Sequence, residues 1–296
     1  MAFFVGAHEF DSQETFIRSG RRCGTPSLND FQKARIRSHM ASLRASGFTG
    51  AGAPPIAVPV HMHVIHHGSE GNVTDEQLDR QLDVLNDCYA PHHIVFTRIA
   101  VDRTDNPAWF RMTMGSAAER QAKQQLGTDT HARLNLYIAG IGAGLLGWAT
   151  FPSDLAGDPA RDGVVVLDAS LPGGAAAPYN QGKTAVHEVG HWLGLYHTFE
   201  NACHAPGDEV DDTPYEASPN FGPADPVRNS CAQGGMDPTS NFMDYTDDAG
   251  MTEFTSGQIE RIGQQLALYR PMLLSAAAVT TAGQAAIAAD LFTGAF

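Results

Sequence analysis

Residues 187–197 read HEVGHWLGLYH, which is the spacing H-E-x-x-H-x-x-G-x-x-H. His187 and His191 stand four residues apart, so on a helix they share one face and can grip one ion. Gly194 supplies the residue that takes a left-handed turn, ends that helix and bends the chain back so that His197 reaches the same ion. Three neutral imidazoles leave a fourth position of a tetrahedral zinc ion open, the arrangement of a catalytic site rather than a structural one. Glu188 stands beside the first ligand, where it can take a proton from a water.

Those side chains need a frame, and the chain is long enough to build one. It has 296 residues, 43% of them hydrophobic, ample for one substantial core. A net charge of −14 argues against a nucleic-acid or anionic-membrane surface, which needs clustered Lys and Arg, and suits cations or basic substrates. No apolar run approaches the roughly 20 residues that span a bilayer. The N-terminal stretch MAFFVGAHEFDSQETF lacks the charged start and sustained apolar run of a signal peptide, so an exported form implies trimming ahead of this numbering or another route.

Residues 1–50 read differently from the rest. A basic stretch runs from Arg18 to Arg44, and the spacing of Leu28, Phe31, Ile36, Met40 and Leu43 predicts one helix over 27–46. The Gly/Pro run GFTGAGAPP then marks a boundary open to proteolytic nicking. From Ile56 the pattern alternates in α/β fashion. Strands are expected at 56–67, 94–101, 134–140 and 162–170, and a short extended piece around 145–152. Helices are expected at 73–90 with Thr74 as N-cap, at 115–126, and at Lys183–Leu193 carrying the zinc motif. Residues 198–254, rich in Asp, Asn, Pro and Gly, form an irregular stretch too long for an ordinary connection. A helix over 256–270 closes the domain before Pro271, and an Ala-rich tail follows over 274–296.

These motifs resemble the pappalysin family of metzincin zinc proteases. The resemblance rests on HEVGHWLGLYHTF (187–199), GDEVDDTP (207–214), NFMDYTDD with MTEFTSGQ (241–258) and RRCGTP near the start, and covers nearly the whole chain to about Arg270. It implies a metzincin-like α/β fold: a twisted mixed sheet, helices that include the zinc helix, and an irregular C-terminal subdomain closed by a helix. Residues 1–50 would be a pro-segment, 51–273 the catalytic domain and 274–296 the tail. His187, His191 and His197 would bind zinc, with Glu188 as general base and acid. Met243 would be the Met-turn residue beneath the metal, and Tyr245 the phenol that stabilises the oxyanion. Asp248 would lie at the base of the S1′ pocket and attract Lys or Arg, so that cleavage falls before a basic residue. Leu146 and Gly147, in the edge strand over 145–149, would pair with an extended peptide.

Four cysteines (Cys23, Cys88, Cys203, Cys231) allow three pairings, and spacing alone does not choose among them. The resemblance matches Cys203 and Cys231 to one family disulfide and places Gly222 and Gly250 where a second pair would stand. A disulfide suggests an oxidising, extracellular setting. Cys23 resembles a cysteine switch, its thiolate filling the open zinc position of a latent form, with Arg21 and Arg22 helping to hold the segment on an acidic domain. Cys88 reads as a buried free thiol. The carboxylates Asp208, Glu209, Asp211 and Asp212 with Thr213 suit calcium. His61, His63, His66, His67, His92 and His93 invite a second metal site, but alternating histidines on a strand more often face solvent or pack locally. The reading is a secreted-type zinc endopeptidase made as a zymogen, acting on peptide or protein substrates, with its own pro-segment as inhibitor and no nucleic-acid partner. The rival readings are a catalytically silent zinc- and calcium-binding module and a zinc amidase acting on cell-wall peptides.

Overall fold

The computed structural model describes residues 3–5, 8–12, 15–16, 19, 22–48 and 55–274. Arg21, most of the Gly/Pro linker and the Ala-rich tail from 275 lie outside the described residues. The chain opens with a hairpin, β1 (Phe3–Val5) and β2 (His8–Phe10), that the sequence reading did not anticipate. Helix α1 (Asp30–Ala45) starts later than the periodicity suggested, because Asn29 and Gln32 form a capping box that fixes its first turn. Ile36, Met40 and Leu43 are buried as expected, whereas Phe31 is 76% exposed. Phe31 lies in the first turn, on the face away from the core.

The central sheet is built from β3 (Ile56–His66), β4 (Ile94–Asp105), β5 (Leu134–Ala139), β6 (Gly147–Ala149) and β7 (Val164–Leu167). Its order is β4-β3-β5-β7-β6. The first four strands of that order are parallel, and β6 closes one edge antiparallel to β7. Every residue of β5 and β7 is buried, as expected for parallel strands covered on both faces. Strand β4 runs past the expected end, through Arg103, Thr104 and Asp105, all paired to β3.

Alternation splits β3 between two cores. Val58, Val60, Met62 and Val64 face a cluster shared with helix α2 (Asp75–Tyr89), which Thr74 caps, and with α5 (Lys183–Trp192). The other face holds Ile65 with Tyr137 and Val165 against α3 (Pro107–Phe110) and α4 (Ala117–Leu126). Helix α6 (Ser256–Tyr269) closes the structure and joins the first cluster through Ile262 and Leu266. The α1 residues Ile36, Met40 and Leu43 belong to that same cluster, so the N-terminal helix is packed into the main core. Between Trp192 and Ser256 the chain is irregular apart from one 3-10 turn, and the bridge between Cys203 and Cys231 ties it together with 5.4 Å between Cα atoms.

Candidate metal centre

Helix α5 places His187, Glu188 and His191 on its turns, and its C-terminus delivers the third histidine. Gly194 sits at φ 105, with its N–H bonded to the His191 carbonyl and the Leu195 N–H to the Gly190 carbonyl. This is a helix C-terminus turned through a left-handed residue, and a side chain there would run into Gln265. The turn brings His197 Nε2 to 3.1 Å from His191 Nε2, which in turn lies 3.2 Å from His187 Nε2.

Two of the rings are oriented from behind. His187 Nδ1–H donates to the Phe242 carbonyl and His191 Nδ1–H to the Leu195 carbonyl, each at 2.8 Å. Those bonds fix the tautomer, so both Nε2 lone pairs point into the cluster. Burial and the neighbouring rings hold His187 and His197 well below the ordinary imidazole value, and burial brings His191 down to about 4. Three imidazole nitrogens, those of His187 and His197 each 3.1–3.2 Å from that of His191, converge where a cation can sit among them. The spacing matches the edge of a tetrahedron with bonds of about 2.0–2.1 Å, the zinc–nitrogen distance. The donor set fits zinc.

Met243 lies fully buried beneath α5, its N–H held by Asn241 Oδ1 at 2.9 Å and its carbonyl accepting from Thr198 N–H at 3.3 Å. The approach is close enough to require Gly190: a Cβ there would lie 2.4 Å from Met243 Sδ. Gly190→Ala is therefore expected to destabilise the fold by about 1–3 kcal/mol through overpacking, read as a lowered Tm in calorimetry. An unchanged Tm would show that Met243 can move aside freely. Tyr245 Oη stands 3.3 Å from His197 Nε2. Burial raises its phenol well above the usual value, which keeps it a donor.

The segment Arg22-Cys23-Gly24-Thr25 lies along the edge strand β6. Gly24 N–H donates to the Gly147 carbonyl at 2.8 Å, and Leu146 N–H to the Arg22 carbonyl at 2.9 Å, the chains running parallel. Leu146 and Gly147 thus use their backbone groups on this segment. Cys23 Sγ and one nitrogen from each of the three histidines lie within 4.8 Å of one another. Glu188 Oε2 accepts from Thr25 Oγ1 at 2.9 Å and from Cys23 Sγ at 3.3 Å. Burial pushes Glu188 up to about 8, against those two hydrogen bonds. Thr25, which the sequence reading passed over, also accepts from Ala149 N–H at 2.8 Å and so pins the segment on both sides.

Arg22 turns the opposite way into a pocket formed by Tyr179, Tyr245, Thr246, Asp248 and Met251. Its guanidinium donates to the Thr246 carbonyl, lies 4.7 Å from the Tyr179 ring centroid and is 3.6 Å from Asp248 Oδ1. Asp248 is buried, with Oδ2 accepting from the N–H groups of Gln181 (2.8 Å) and Lys183 (3.3 Å) at the start of α5. Those bonds leave Oδ1 facing Arg22.

The acidic loop is less convergent than its sequence suggested. Asp208 is buried, and burial pushes its carboxyl up to about 7. Glu209 sits at φ 65 and pairs with Arg37 (2.5 Å) and Arg261 (3.3 Å). Asp211 and Asp212 are exposed, and Asp212 Oδ2 accepts from Gly257 N–H in the first turn of α6. Among the described residues, Asp208, Asp211 and Asp212 do not form a cluster with ligand atoms within 4.8 Å of one another. Thr213 is buried next to them.

Together the zinc-type triad, the adjoining glutamate and the sheet edge beside them define a metalloprotease of the metzincin class. Residues 129–267 match the family model Peptidase_M43, pregnancy-associated plasma protein-A. The chain is 41% identical over 261 residues to an extracellular metalloprotease of Colletotrichum graminicola, covering 84% of this chain and 91% of that protein. It is 40% identical to extracellular metalloprotease 1 of Coccidioides posadasii, covering 85% and 91%. Among solved structures, a promirolysin mutant of Tannerella forsythia superposes with a TM-score of 0.72 at 26% identity, covering 86% of this chain and 96% of that one. Mature mirolysin with a cleaved peptide gives 0.62 at 29%, covering 75% and 99%. The chain belongs to the pappalysin family, whose members are metalloproteases, and the family implies zinc.

Proposed function

We propose that this chain is the latent form of an extracellular zinc endopeptidase that cleaves peptide bonds before lysine or arginine. Residues 1–50 act as the pro-segment and 51–273 as the catalytic domain. The observation that carries this reading is the seat of Arg22-Cys23-Gly24-Thr25: thiol among the three histidines, guanidinium against Asp248, hydroxyl on Glu188. One short segment occupies the metal face, the base and the side-chain pocket together.

Zinc, when bound by His187, His191 and His197, supplies Lewis-acid polarisation of the scissile carbonyl and of the attacking water. The chain's own groups do the rest. Leu146 and Gly147 hold the peptide backbone once the pro-segment is gone, in the hydrogen-bonding mode by which a strand adds to an open sheet edge. Glu188 takes the proton from the attacking water and gives it to the leaving amine. The Tyr245 phenol donates a hydrogen bond to the developing oxyanion. The names of the relatives support an extracellular setting.

Arg22 supports the side-chain preference, because a basic residue already fills the pocket above a buried carboxylate. Asp248→Asn is expected to reduce the preference for Lys or Arg over Leu at P1′ by about 10–100-fold, since a charge-assisted hydrogen bond contributes about 1.5–3 kcal/mol. A peptide library profiled by mass spectrometry reads it, and an unaltered preference would place the specificity elsewhere.

Calcium belongs to the same proposal. Asp208, with Asp211, Asp212, Thr213 and the carbonyls of the loop, supplies the hard oxygens, and a cation would offset the burial of Asp208. Added Ca²⁺ is expected to raise the Tm of dialysed protein, with about 2.7 kcal/mol of stabilisation at a hundredfold excess over Kd, and to do so far less in Asp208→Asn. A Tm indifferent to calcium would remove the ion from this loop. For the function as a whole, the test is terminal sequencing of self-processed protein together with its cleavage-site profile. Cuts before Lys and Arg and a new N-terminus near residue 50 are the expected result. A protein that binds zinc yet cuts nothing would be a recognition module instead.

A further inference from the structure

A second group of metal-competent side chains lies on the opposite face of the sheet from the tri-histidine cluster. His61 and His63 alternate with Met62 along β3 and so face away from α5. Asp102 on β4 stands in register with His63. Among the described residues, these three are the other group whose ligand atoms lie within 4.8 Å of one another. His63 Nδ1 is 2.6 Å and His61 Nε2 2.9 Å from the same carboxylate oxygen, Asp102 Oδ2. The second oxygen, Asp102 Oδ1, is buried without a hydrogen-bond partner.

Asn135 on β5 decides where the protons are. Its Nδ2 donates to the Thr128 carbonyl at 2.9 Å and its Oδ1 accepts from Thr128 N–H at 3.0 Å, so the amide cannot be turned round without losing both bonds. That acceptor Oδ1 faces His63 Nε2 at 3.0 Å, so Nε2 carries the proton. The His63 ring, fully buried and stacked on Tyr137 with 4.7 Å between centroids, thus turns Nδ1 toward Asp102, where it offers a lone pair to an ion once the ring carries its one proton on Nε2. His61 follows the same logic. Its Nδ1 lies 2.9 Å from Thr128 Oγ1, whose hydroxyl is itself 3.5 Å from Asn135 Oδ1. A hydroxyl that donates to Asn135 accepts from Nδ1–H and leaves Nε2 as the second lone pair. With the rings in these tautomers two imidazole lone pairs and a carboxylate converge at a half-buried spot, a donor set that a bound cation satisfies.

We propose that His61, His63 and Asp102 bind a second divalent transition-metal ion, of the zinc, nickel or copper type. Two imidazoles favour those ions over calcium or magnesium, and both carboxylate oxygens are available to a metal. Asn135 is the positioning residue: it holds His63 in the ligating tautomer, as a carbonyl does behind a zinc-bound histidine. Access is from the side of His61 and Asp102, whose side chains are 12% and 36% exposed, while His63 is closed off. Arg133, paired with Asp129 at 3.1 Å, acts on His61 and is the neighbouring charge that the ion must outweigh. Such an ion would clamp the edge strand β4 to β3, and it lies across the sheet from Glu188.

The test uses the full chain equilibrated with Zn²⁺ and freed of excess by gel filtration. The expected metal content is two zinc ions per chain in the wild type and one in both His61→Ala and Asp102→Asn, with peptidase activity after activation retained in both. An anomalous difference map at the zinc edge, recorded on wild-type crystals, is expected to show a peak among the three side chains, and this measurement stands even if a variant does not fold. One zinc per chain in the wild type, a second zinc that persists in both variants, or a map with no peak at these residues would each overturn the proposal.

Discussion

Glu188→Gln is expected to lower kcat/KM on an unfolded protein substrate by about 10²–10⁴-fold, the range that a positioned general acid–base group contributes. The amide keeps the size of the carboxylate but cannot take the proton from the attacking water. Zinc content should not change, because the three histidines and the carbonyls behind His187 and His191 are untouched. The pair of measurements separates this effect from loss of the metal. A variant that retains zinc and cuts at the wild-type rate would exclude Glu188 as the base.

The second large effect is expected at Cys23. Its thiol is half-buried, and desolvation together with the Glu188 carboxylate raises it well above the ordinary value in the absence of a metal. Coordination draws the proton off and makes the sulfur a ligand. Cys23→Ala removes that ligand, and even about 1.4 kcal/mol lost from the closed state shifts its population tenfold. Self-processing is therefore expected to accelerate by an order of magnitude or more, followed as intact chain remaining over time. Arg22 on Asp248 and Thr25 on Glu188 remain in place, so latency should be weakened and not abolished. Adding Arg22→Ala should release it further. Processing at the wild-type rate in the double variant would reject inhibition by this segment.

Much of the site was legible because its physics is local. The four-residue spacing of His187 and His191, and Gly194 as the residue that turns the chain, follow from helix geometry alone. Edge strand β6 and the strands of apolar residues were equally plain, since their burial pattern is written in neighbouring positions. The family resemblance extended that to Met243, Tyr245, Asp248 and the Cys203–Cys231 pair; the structure sets Met243 against Gly190 of the histidine helix, Tyr245 beside His197 and Asp248 against Arg22, and bonds the two cysteines. What stayed hidden depends on distant partners. Thr25 looks unremarkable until Ala149 and Glu188 close on it, and Gly190 until Met243 comes beneath it. Asp102 joins His61 and His63 only through β4 pairing in register, so the histidines by themselves gave no reason to look across the sheet. Phe31 shows the converse: it was grouped with the apolar face, yet five residues before Ile36 it falls off the stripe that Lys33, Ile36 and Met40 bury. That Asp212 Oδ2 accepts from Gly257 N–H in the first turn of α6 was likewise not visible in the acidic run itself.

Helix α1 is seated among the same side chains as α5 and α6, and its Lys33 forms a buried ion pair with Glu200. If residues 1–50 are the pro-segment proposed above, severing the Gly/Pro linker would not by itself free the cleft. The cut would leave a two-chain complex whose short member must still be expelled, stripping an apolar groove, taking Lys33 from Glu200 and leaving Glu209 with Arg261 alone. Maturation should then show a lag between scission and the onset of turnover, shortened by dilution or by mild denaturant, and the liberated peptide should act as a reversible inhibitor when returned to the mature enzyme.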